Sequence, residues 1–298
     1  MARTKQTTKT RKHCYGAQCG SGGPLESSLN KNKATAINRA VNRGIGKSLA
    51  DGKKYQGSLD LSFYATLYSM VLDSSTKVLN LKLVRNLLVY SFLGFAIQRA
   101  QSATVNTITK LKNPERVLLR RNVVIDRDRY CIWWALTHSK GDPFGRRKGK
   151  DRLDWTVTAG SRAGGKHQHP IDIVALYLIY CQMMGFPADK TGRVPGKDLD
   201  TPFFQELDRH GRPTGEPLSY TSCLYGLKAD IKQFFPELDP SDYGTHTFRR
   251  FGATYAKAKG IPDDLIMLMG RWVSECWRRY LLFSDDSKVQ MSRDMLGD

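Results

Sequence analysis

The 298-residue sequence lacks a long apolar run, an apolar N-terminal block and a set of paired cysteines. The longest apolar stretch, residues 87–97, is too short to cross a bilayer and is soon followed by Arg99. Arg3, Lys5 and Lys9 open the chain and precede no apolar block, so no signal peptide is expected. Six cysteines without a paired framework favour reduced thiols in an intracellular protein. We therefore expect no contact with a membrane.

Acidic residues are also scarce. Against 47 Lys and Arg there are only 28 Asp and Glu, which gives a formal net charge of +19. Charge of this sign and size indicates a polyanionic partner, most simply nucleic acid. The alternatives are a solvated basic surface or an anionic membrane. No basic amphipathic helix or lipidation motif supports the membrane, so we expect double-stranded DNA as the partner.

Side chains that could hold a metal ion are few and scattered. Cys14 and Cys19 beside His13 could make half of a zinc site, but no second half is in view. His167 and His169 have no acid or cysteine nearby and are interpreted as surface residues. We expect no metal ion and no other cofactor.

The chain divides by composition into three parts. Residues 1–33 are polar, basic and rich in Thr, Lys, Gly and Ser, which predicts a disordered basic tail. Residues 34–55 carry apolar side chains at helical spacing with basic residues between them, which predicts a basic helical arm. This arm either faces DNA or is a solvated helix that packs on the protein through one stripe of apolar side chains. Residues 56–298 are long enough to bury a core and are predicted to form a folded domain.

The first residues match part of another protein. After removal of Met1 the chain would begin Ala-Arg-Thr-Lys-Gln-Thr, which is identical to the start of the third core histone's tail. The agreement fades after Thr7, and a chance match is one explanation. Recruitment of a chromatin reader through residues 2–7 is a second hypothesis. The plain alternative is an arm that adds salt-sensitive affinity for DNA.

Periodicity predicts a mainly α fold with a small three-stranded antiparallel sheet. Apolar residues at helical spacing predict helices over residues 59–72, 80–105, 171–184 and 218–235. Segments rich in Val, Ile, Trp and Tyr predict strands over residues 122–125, 130–136 and 152–158. Residues 185–217 are rich in Pro, Gly and charge and are interpreted as a long loop.

Residues 244–280 concentrate the reactive side chains of the sequence. His246 and Arg249 are three residues apart, so on a helix they project from the same face. A second helix is predicted with acids in its first turn and Gly270 just past its end. A short third helix is predicted to end at Tyr280. Consecutive helices thus deliver a phenol, an imidazole and several guanidinium groups.

This combination suits attack on a phosphodiester. A neutral phenol is a poor nucleophile, and nearby cations favour its charged form. The same guanidinium groups match the geometry of a phosphate and stabilise the charge that builds on its oxygens. The alternative is that Tyr280 packs in the core and the arginines face solvent.

The same residues resemble the motif of the tyrosine recombinases, also called phage-integrase-type recombinases. In that family a His-x-x-Arg helix is followed by a Leu-Gly-His or Gly-Trp step and by a tyrosine ten residues after the glycine. The matching residues here are His246, Arg249, Gly270 and Tyr280. Most relatives have His or Trp where this chain has Arg271, with Trp272 beside it. The local sequence around these residues looks most similar to that of Crypton-like members of the family.

Two further stretches resemble the same family. The string Ser-Lys-Gly-Asp-Pro-Phe-Gly-Arg is similar to the hairpin that presents the family's catalytic lysine, here Lys140. Arg99 stands where the family's first catalytic arginine falls, although Ser102 replaces the glutamate that relatives place three residues later. The alternative to a catalytic role is that Arg99 lies at a helix end and extends its side chain to water.

The resemblance implies the fold of a tyrosine recombinase catalytic domain over residues 56–298 and a recombinase or integrase from a mobile element. Such an enzyme would break and rejoin DNA through a 3′-phosphotyrosyl intermediate without metal or ATP. Tyr280 would be the nucleophile, His246 would assist it, Lys140 would be the general acid, and the phosphate would be held by Arg99, Arg249 and Arg271. Contacts with DNA are expected for Arg146, Arg147, Lys148, Arg250 and Trp272.

The resemblance also sets expectations about assembly and place of action. A dimer to tetramer on DNA is expected, in the nucleus of a eukaryote or otherwise inside the cell on DNA. Relatives usually carry a separate N-terminal helical domain, for which the residues before position 55 are too few. The alternative function is therefore a DNA-binding protein that derives from a recombinase and no longer cuts.

Overall fold

The computed structural model describes residues 57–73, 80–106, 117–136, 154–161, 169–186, 199–272 and 274–281. All of them belong to the compact unit Lys54–Asp298. The predicted tail, 1–33, and the predicted arm, 34–55, lie outside the described residues, so both stay predictions.

Six α-helices form within these residues. They are α1 Leu61–Leu72, α2 Leu81–Phe95, α3 Ile173–Met183, α4 Tyr220–Phe234, α5 His246–Ala258 and α6 Asp263–Gly270. The side chains of Asp60, Asn80, Asp172 and Ser219 accept backbone N–H groups at the starts of the first four. Such caps stabilise a helix because its first N–H groups have no partner inside it. No helix among the described residues is long and apolar enough to cross a membrane.

Helix α2 is the centre of the core. Every residue from Val84 to Gly94 is buried, as the prediction of a strongly apolar helix requires. Helices α1, α3 and α5 pack against it. The predicted helix over residues 80–105 is wrong beyond Phe95, because Ile97 adopts a left-handed conformation with φ of 55°. The chain turns there and forms a 3-10 helix, Ala100–Ser102.

Helices α2 and α5 approach each other at two glycines. A Cβ atom on Gly252 would lie 1.9 Å from the carbonyl oxygen of Gly94, so a larger residue cannot be placed there without moving a helix. This close approach sets α5, which carries His246 and Arg249, against the end of α2 that leads to Arg99.

The sheet has three antiparallel strands, β1 Val123–Asp126, β2 Cys131–Leu136 and β3 Asp154–Ala159, with β2 in the middle. Trp134 pairs with Val123 and Thr156, and its fully buried ring faces the core. The predicted fold, mainly α with a small three-stranded antiparallel sheet, is confirmed.

The loop predicted over residues 185–217 is wrong in its described part. A two-stranded hairpin, β4 Gln205–Leu207 and β5 Pro213–Pro217, follows two buried rings at Phe203 and Phe204. Its turn is closed by the carboxylate of Asp208, which accepts the N–H groups of His210 and Arg212. The burial of aromatic rings orders a segment whose composition is typical of a loop.

His169 is also placed differently from the prediction. Its ring is half-buried and makes edge contacts with Phe95 and Tyr255 at centroid distances of 5.5 and 6.4 Å. It therefore packs at the margin of the core rather than on an open surface. His167 lies outside the described residues.

Candidate active site

Helix α5 positions the imidazole and the central guanidinium of the site. Its start is held by the N–H of Gly244, which donates to the hydroxyl of Thr247 over 3.2 Å. One turn further, the ring of Phe248 is fully buried and stacks on Tyr90 at 4.6 Å. This anchor turns Arg249 inward, where its side chain is 1% exposed, and leaves His246 exposed on the first turn.

Arg249 is the most deeply buried of the site's cations. Its Nη2 donates to the carbonyl oxygen of Gly270 over 2.5 Å, and its guanidinium carbon lies 3.8 Å from the centroid of the Trp272 ring. Its Nε is buried and has no hydrogen-bond partner among the described residues. In the described part of the chain no carboxylate forms an ion pair with it. The group is therefore short of hydrogen-bond acceptors.

The pKa of Arg249 reflects this environment. Burial, the largest cause, and then the positive charge of Arg99 lower the pKa to about 9, while Tyr280 and Cys276 act in the opposite direction. Arg271 lowers it further. The guanidinium is still charged at neutral pH, so the protein holds an underpaired cation beside two others.

Tyr280 lies beside these groups. Its ring centroid is 6.3 Å from that of His246 and 5.5 Å from that of Trp272, and the guanidinium carbon of Arg249 lies 5.7 Å from it. The hydroxyl of Thr254 on α5 donates to the Tyr280 carbonyl oxygen over 3.3 Å. The structure thus brings together His246, Arg249 and Tyr280, which the sequence separates by up to 34 positions.

The segment that carries Tyr280 is tied to the helices before it. The predicted short helix is a 3-10 helix, Glu275–Tyr280, with Ser274 at its N-cap position. The carboxylate of Asp263 at the start of α6 accepts from Lys257 over 2.7 Å and from Arg278 over 3.4 Å. These exposed contacts are individually weak. Trp277, which is 1% exposed, provides the apolar anchor for the segment.

Gly270 is not just past the end of α6, as predicted, but is its last residue. The left-handed position after it is taken by Arg271, with φ of 55°. A Cβ atom on Gly270 would lie 1.9 Å from the ring of Trp272, so the glycine makes room for that ring. Arg271 is half-buried and close enough to influence Arg249, as is Arg99.

The predicted general acid, Lys140, and three of the predicted DNA contacts, Arg146, Arg147 and Lys148, lie outside the described residues. Arg250 is half-buried and, at one residue from Arg249, points about 100° further around the helix. A contact between Trp272 and DNA is also predicted, but the structure does not favour it. Trp272 is only 7% exposed and packs against Arg249 and Tyr280, which leaves little of its surface for DNA.

Sequence reasoning missed one residue of the site. Gln98 is 1% exposed, and its Nε2 donates to the carbonyl oxygens of Ala96 and Met269 over 2.6 Å each. Its only signal in the sequence is its position directly before Arg99. As for metals, the described residues contain no group of three or more His, Cys, Asp and Glu that could hold an ion.

Comparisons with known proteins find similar solved structures but show no family for this chain. No protein-family model matches the chain, and no curated protein matches it.

Several solved structures do resemble it. The XerH site-specific recombinase bound to palindromic difH substrate has a TM-score of 0.48 and 13% identity, over 83% of this chain and 55% of that one. The XerA recombinase gives 0.46 and 11%, over 81% and 65%. The Tn1549 transposon integrase, bound to a circular intermediate DNA, gives 0.43 and 11%, over 80% and 66%.

These structures are all recombinases or integrases. The chain spans about half to two thirds of their length. Because each TM-score is below 0.5, the likeness carries no argument about function, which has to come from the geometry of the site.

Proposed function

We propose that this protein is a tyrosine recombinase that breaks and rejoins double-stranded DNA through a 3′-phosphotyrosyl intermediate on Tyr280. The observation that carries the proposal is the convergence of Tyr280, His246 and a buried, underpaired Arg249. Arg99 and Arg271 add positive charge at the same place. The buried Arg249 guanidinium, short of acceptors and next to two further cations, favours an anionic ligand, and a DNA phosphate supplies the missing oxygens.

The reaction follows from these roles. The phenolic oxygen of Tyr280 attacks the phosphorus, its proton passes to His246, and the bond from phosphorus to the 5′-oxygen breaks. That oxygen takes a proton from the general acid, which the family resemblance assigns to Lys140. The product is a 3′-phosphotyrosyl ester and a free 5′-hydroxyl, and attack by a 5′-hydroxyl reverses the step. The ester retains the free energy of the broken bond, so rejoining requires no further energy source.

The arginines stabilise the charge that builds on the non-bridging oxygens. Planar guanidinium groups donate two hydrogen bonds side by side and need no reorganisation when they are held in place beforehand. Trp272 holds the Arg249 plane by stacking at 3.8 Å. Removal of one such donor from a preorganised site typically slows catalysis by roughly 10²–10³-fold.

The finer assignments belong to the same proposal. They are a Crypton-like subtype from a mobile element, a dimer to tetramer on DNA, and action in the nucleus if the host is a eukaryote. DNA contacts by Arg146, Arg147, Lys148 and Arg250 are proposed as well. Recruitment of a chromatin reader through residues 2–7 is a separate proposal, which capture of a peptide of residues 2–12 by reader domains would test.

The test is a search for the covalent intermediate. A pool of nicked duplexes with randomised sequence, in which the short strand diffuses away after cleavage, traps the ester. We expect a DNA–protein adduct that survives denaturation with the wild-type chain and disappears with Tyr280→Phe, which keeps the ring but removes the nucleophile. Tyr225→Phe, at a tyrosine that is 68% exposed on α4, is the matched control and should leave the adduct unchanged. DNA binding without any adduct would instead establish the non-cutting alternative.

A further inference from the structure

The helix that leads to Arg99 ends in an unusual cap. The N–H of Ile97 donates to the carbonyl oxygen of Gly94 over 3.0 Å, and the N–H of Gln98 donates to that of Leu93 over 2.9 Å. This pair of bonds is a Schellman motif, whose left-handed residue is usually glycine. Here it is Ile97, a branched residue that disfavours φ of 55°. Tertiary contacts must therefore hold this turn.

Helix α6 ends in a second cap of the same kind. The N–H of Arg271 donates to the carbonyl oxygen of Leu268 over 3.1 Å, and the N–H of Trp272 donates to that of Met267 over 2.9 Å. Arg271 occupies the left-handed position. Each of the two caps thus places one arginine of the candidate site, Arg99 two residues after the first turn and Arg271 within the second. Strained backbone held by its surroundings is typical of functional sites.

One buried amide joins the two caps. Gln98 uses both hydrogens of its side-chain amide, one for the carbonyl oxygen of Ala96 in the first cap and one for that of Met269 in the second. The next carbonyl along α6, that of Gly270, accepts from Arg249. Ile97 and Trp272 also share an apolar cluster, but apolar contacts are not directional, whereas two hydrogen bonds fix the register of the turns.

We infer that Gln98 is a positioning residue, which sets Arg99 relative to Arg249 and Arg271 by locking the two caps together. The inference rests on the proposed function, because it concerns how these arginines surround one phosphate. Without the amide, the strained turn at Ile97 loses a hydrogen bond within its own cap and its hydrogen-bonded link to α6, and the apolar contacts that remain between them are not directional. Arg99 then shifts relative to the other two arginines, and a shift of about 1 Å costs about 10²-fold in rate.

The test compares two buried glutamines. Gln98→Met keeps the length of the side chain and removes both donors. Gln205→Met is the matched control, because Gln205 is 6% exposed and its Nε2 donates to a carbonyl oxygen, that of Pro202, in the β4–β5 region. On a nicked duplex taken from the adduct-forming pool, at saturating DNA and below both melting temperatures, we expect Gln98→Met to form adduct about 10–100-fold more slowly. Gln205→Met should stay within about 3-fold of the wild type.

A double-mutant cycle separates positioning from general damage to the fold. If Gln98 acts through Arg99, then Gln98→Met has little further effect, within about 2-fold, once Arg99 is alanine. Equal slowing by Gln98→Met in both backgrounds would overturn the inference. So would an unchanged rate in Gln98→Met, or a Gln205→Met variant that is slowed as much.

A binding measurement keeps the inference testable if no adduct forms and the proposed function fails. The slope of log K against log salt concentration counts phosphate contacts, and loss of one contact lowers it by about 1. We expect Arg99→Ala and Gln98→Met to lower the slope alike, and Gln205→Met to leave it unchanged. A wild-type slope in Gln98→Met would refute the positioning role, and a chain that neither cleaves nor binds DNA would refute both proposals.

Discussion

Replacing Arg249 with methionine is expected to raise the stability of the DNA-free protein and to abolish the covalent adduct. Methionine fills much of the same space and is well suited to an irregular buried site. The variant removes a charge that is 1% exposed, has one carbonyl acceptor among the described residues and lies near the positive charges of Arg99 and Arg271. A residue that costs stability and is required for function would be the signature of an anion site.

The magnitude follows from the pKa. Because burial lowers the pKa of Arg249 to about 9, the folded protein disfavours the charged form by roughly 4–5 kcal/mol, at about 1.4 kcal/mol per pKa unit. The variant loses the bond to Gly270, about 1–2 kcal/mol, and the stack on Trp272, about 1–2 kcal/mol. The net gain is about 0–3 kcal/mol, with a central value of about 1.5 kcal/mol, which is within the range for replacing buried ions by apolar side chains.

The expected gain in stability depends on pH. The folded pKa of Arg249 lies below the unfolded one, so the penalty is fully present below pH 9 and shrinks only as the pH rises above it. A measurement at pH 7.5 therefore sees the whole effect. In a domain of this size about 1 kcal/mol corresponds to about 2–4 °C, so the central gain of about 1.5 kcal/mol should raise Tm by about 3–6 °C.

Arg85→Met is the matched control in thermal unfolding. Arg85 is also buried, at 3% exposure, but it donates to the carbonyl oxygen of Gln205 and to the side-chain oxygen of Asn86 over 2.9 Å each. Its removal leaves buried acceptors without donors and should lower the stability by about 2–4 kcal/mol. A fall in Tm for Arg249→Met as large as that for Arg85→Met would refute the reasoning, because it would show that Arg249 is as well paired as Arg85.

Two further predictions concern residues around the site. Arg271→Gly should raise Tm by about 2–4 °C, because glycine relieves about 1 kcal/mol of left-handed strain, and should slow adduct formation; a lower Tm would show that the turn is not strained. Burial raises the pKa of Asp230, so its charge lowers stability at pH 7 and this cost disappears as the pH falls toward 4. Asp230→Asn, compared with the wild type in urea unfolding, should therefore be at least as stable at pH 7, and its relative advantage should shrink toward pH 4; a gap that is constant with pH would contradict this.

The amino-acid sequence by itself determined most of the regular structure. The apolar run of α2 predicts a central helix, and the tryptophan- and valine-rich segments predict the strands, because burial and periodicity leave a direct mark on composition. The sequence also determined which side chains were candidates for chemistry. His246, Arg249 and Tyr280 stand out by type and spacing, and the structure brings them together.

Tertiary structure alone decided how these side chains are held. The left-handed turns at Ile97 and Arg271 run against the local preference of a branched and a long side chain, so no sequence pattern predicts them. One of the two bonds of Gln98 reaches a carbonyl oxygen 171 positions away, and Trp272 is buried in a cluster that includes Ile97 of the distant α2 cap. A local pattern reports which face of an element is apolar, whereas only the packed chain decides which distant carbonyl a buried amide reaches and which cation is left short of oxygen atoms.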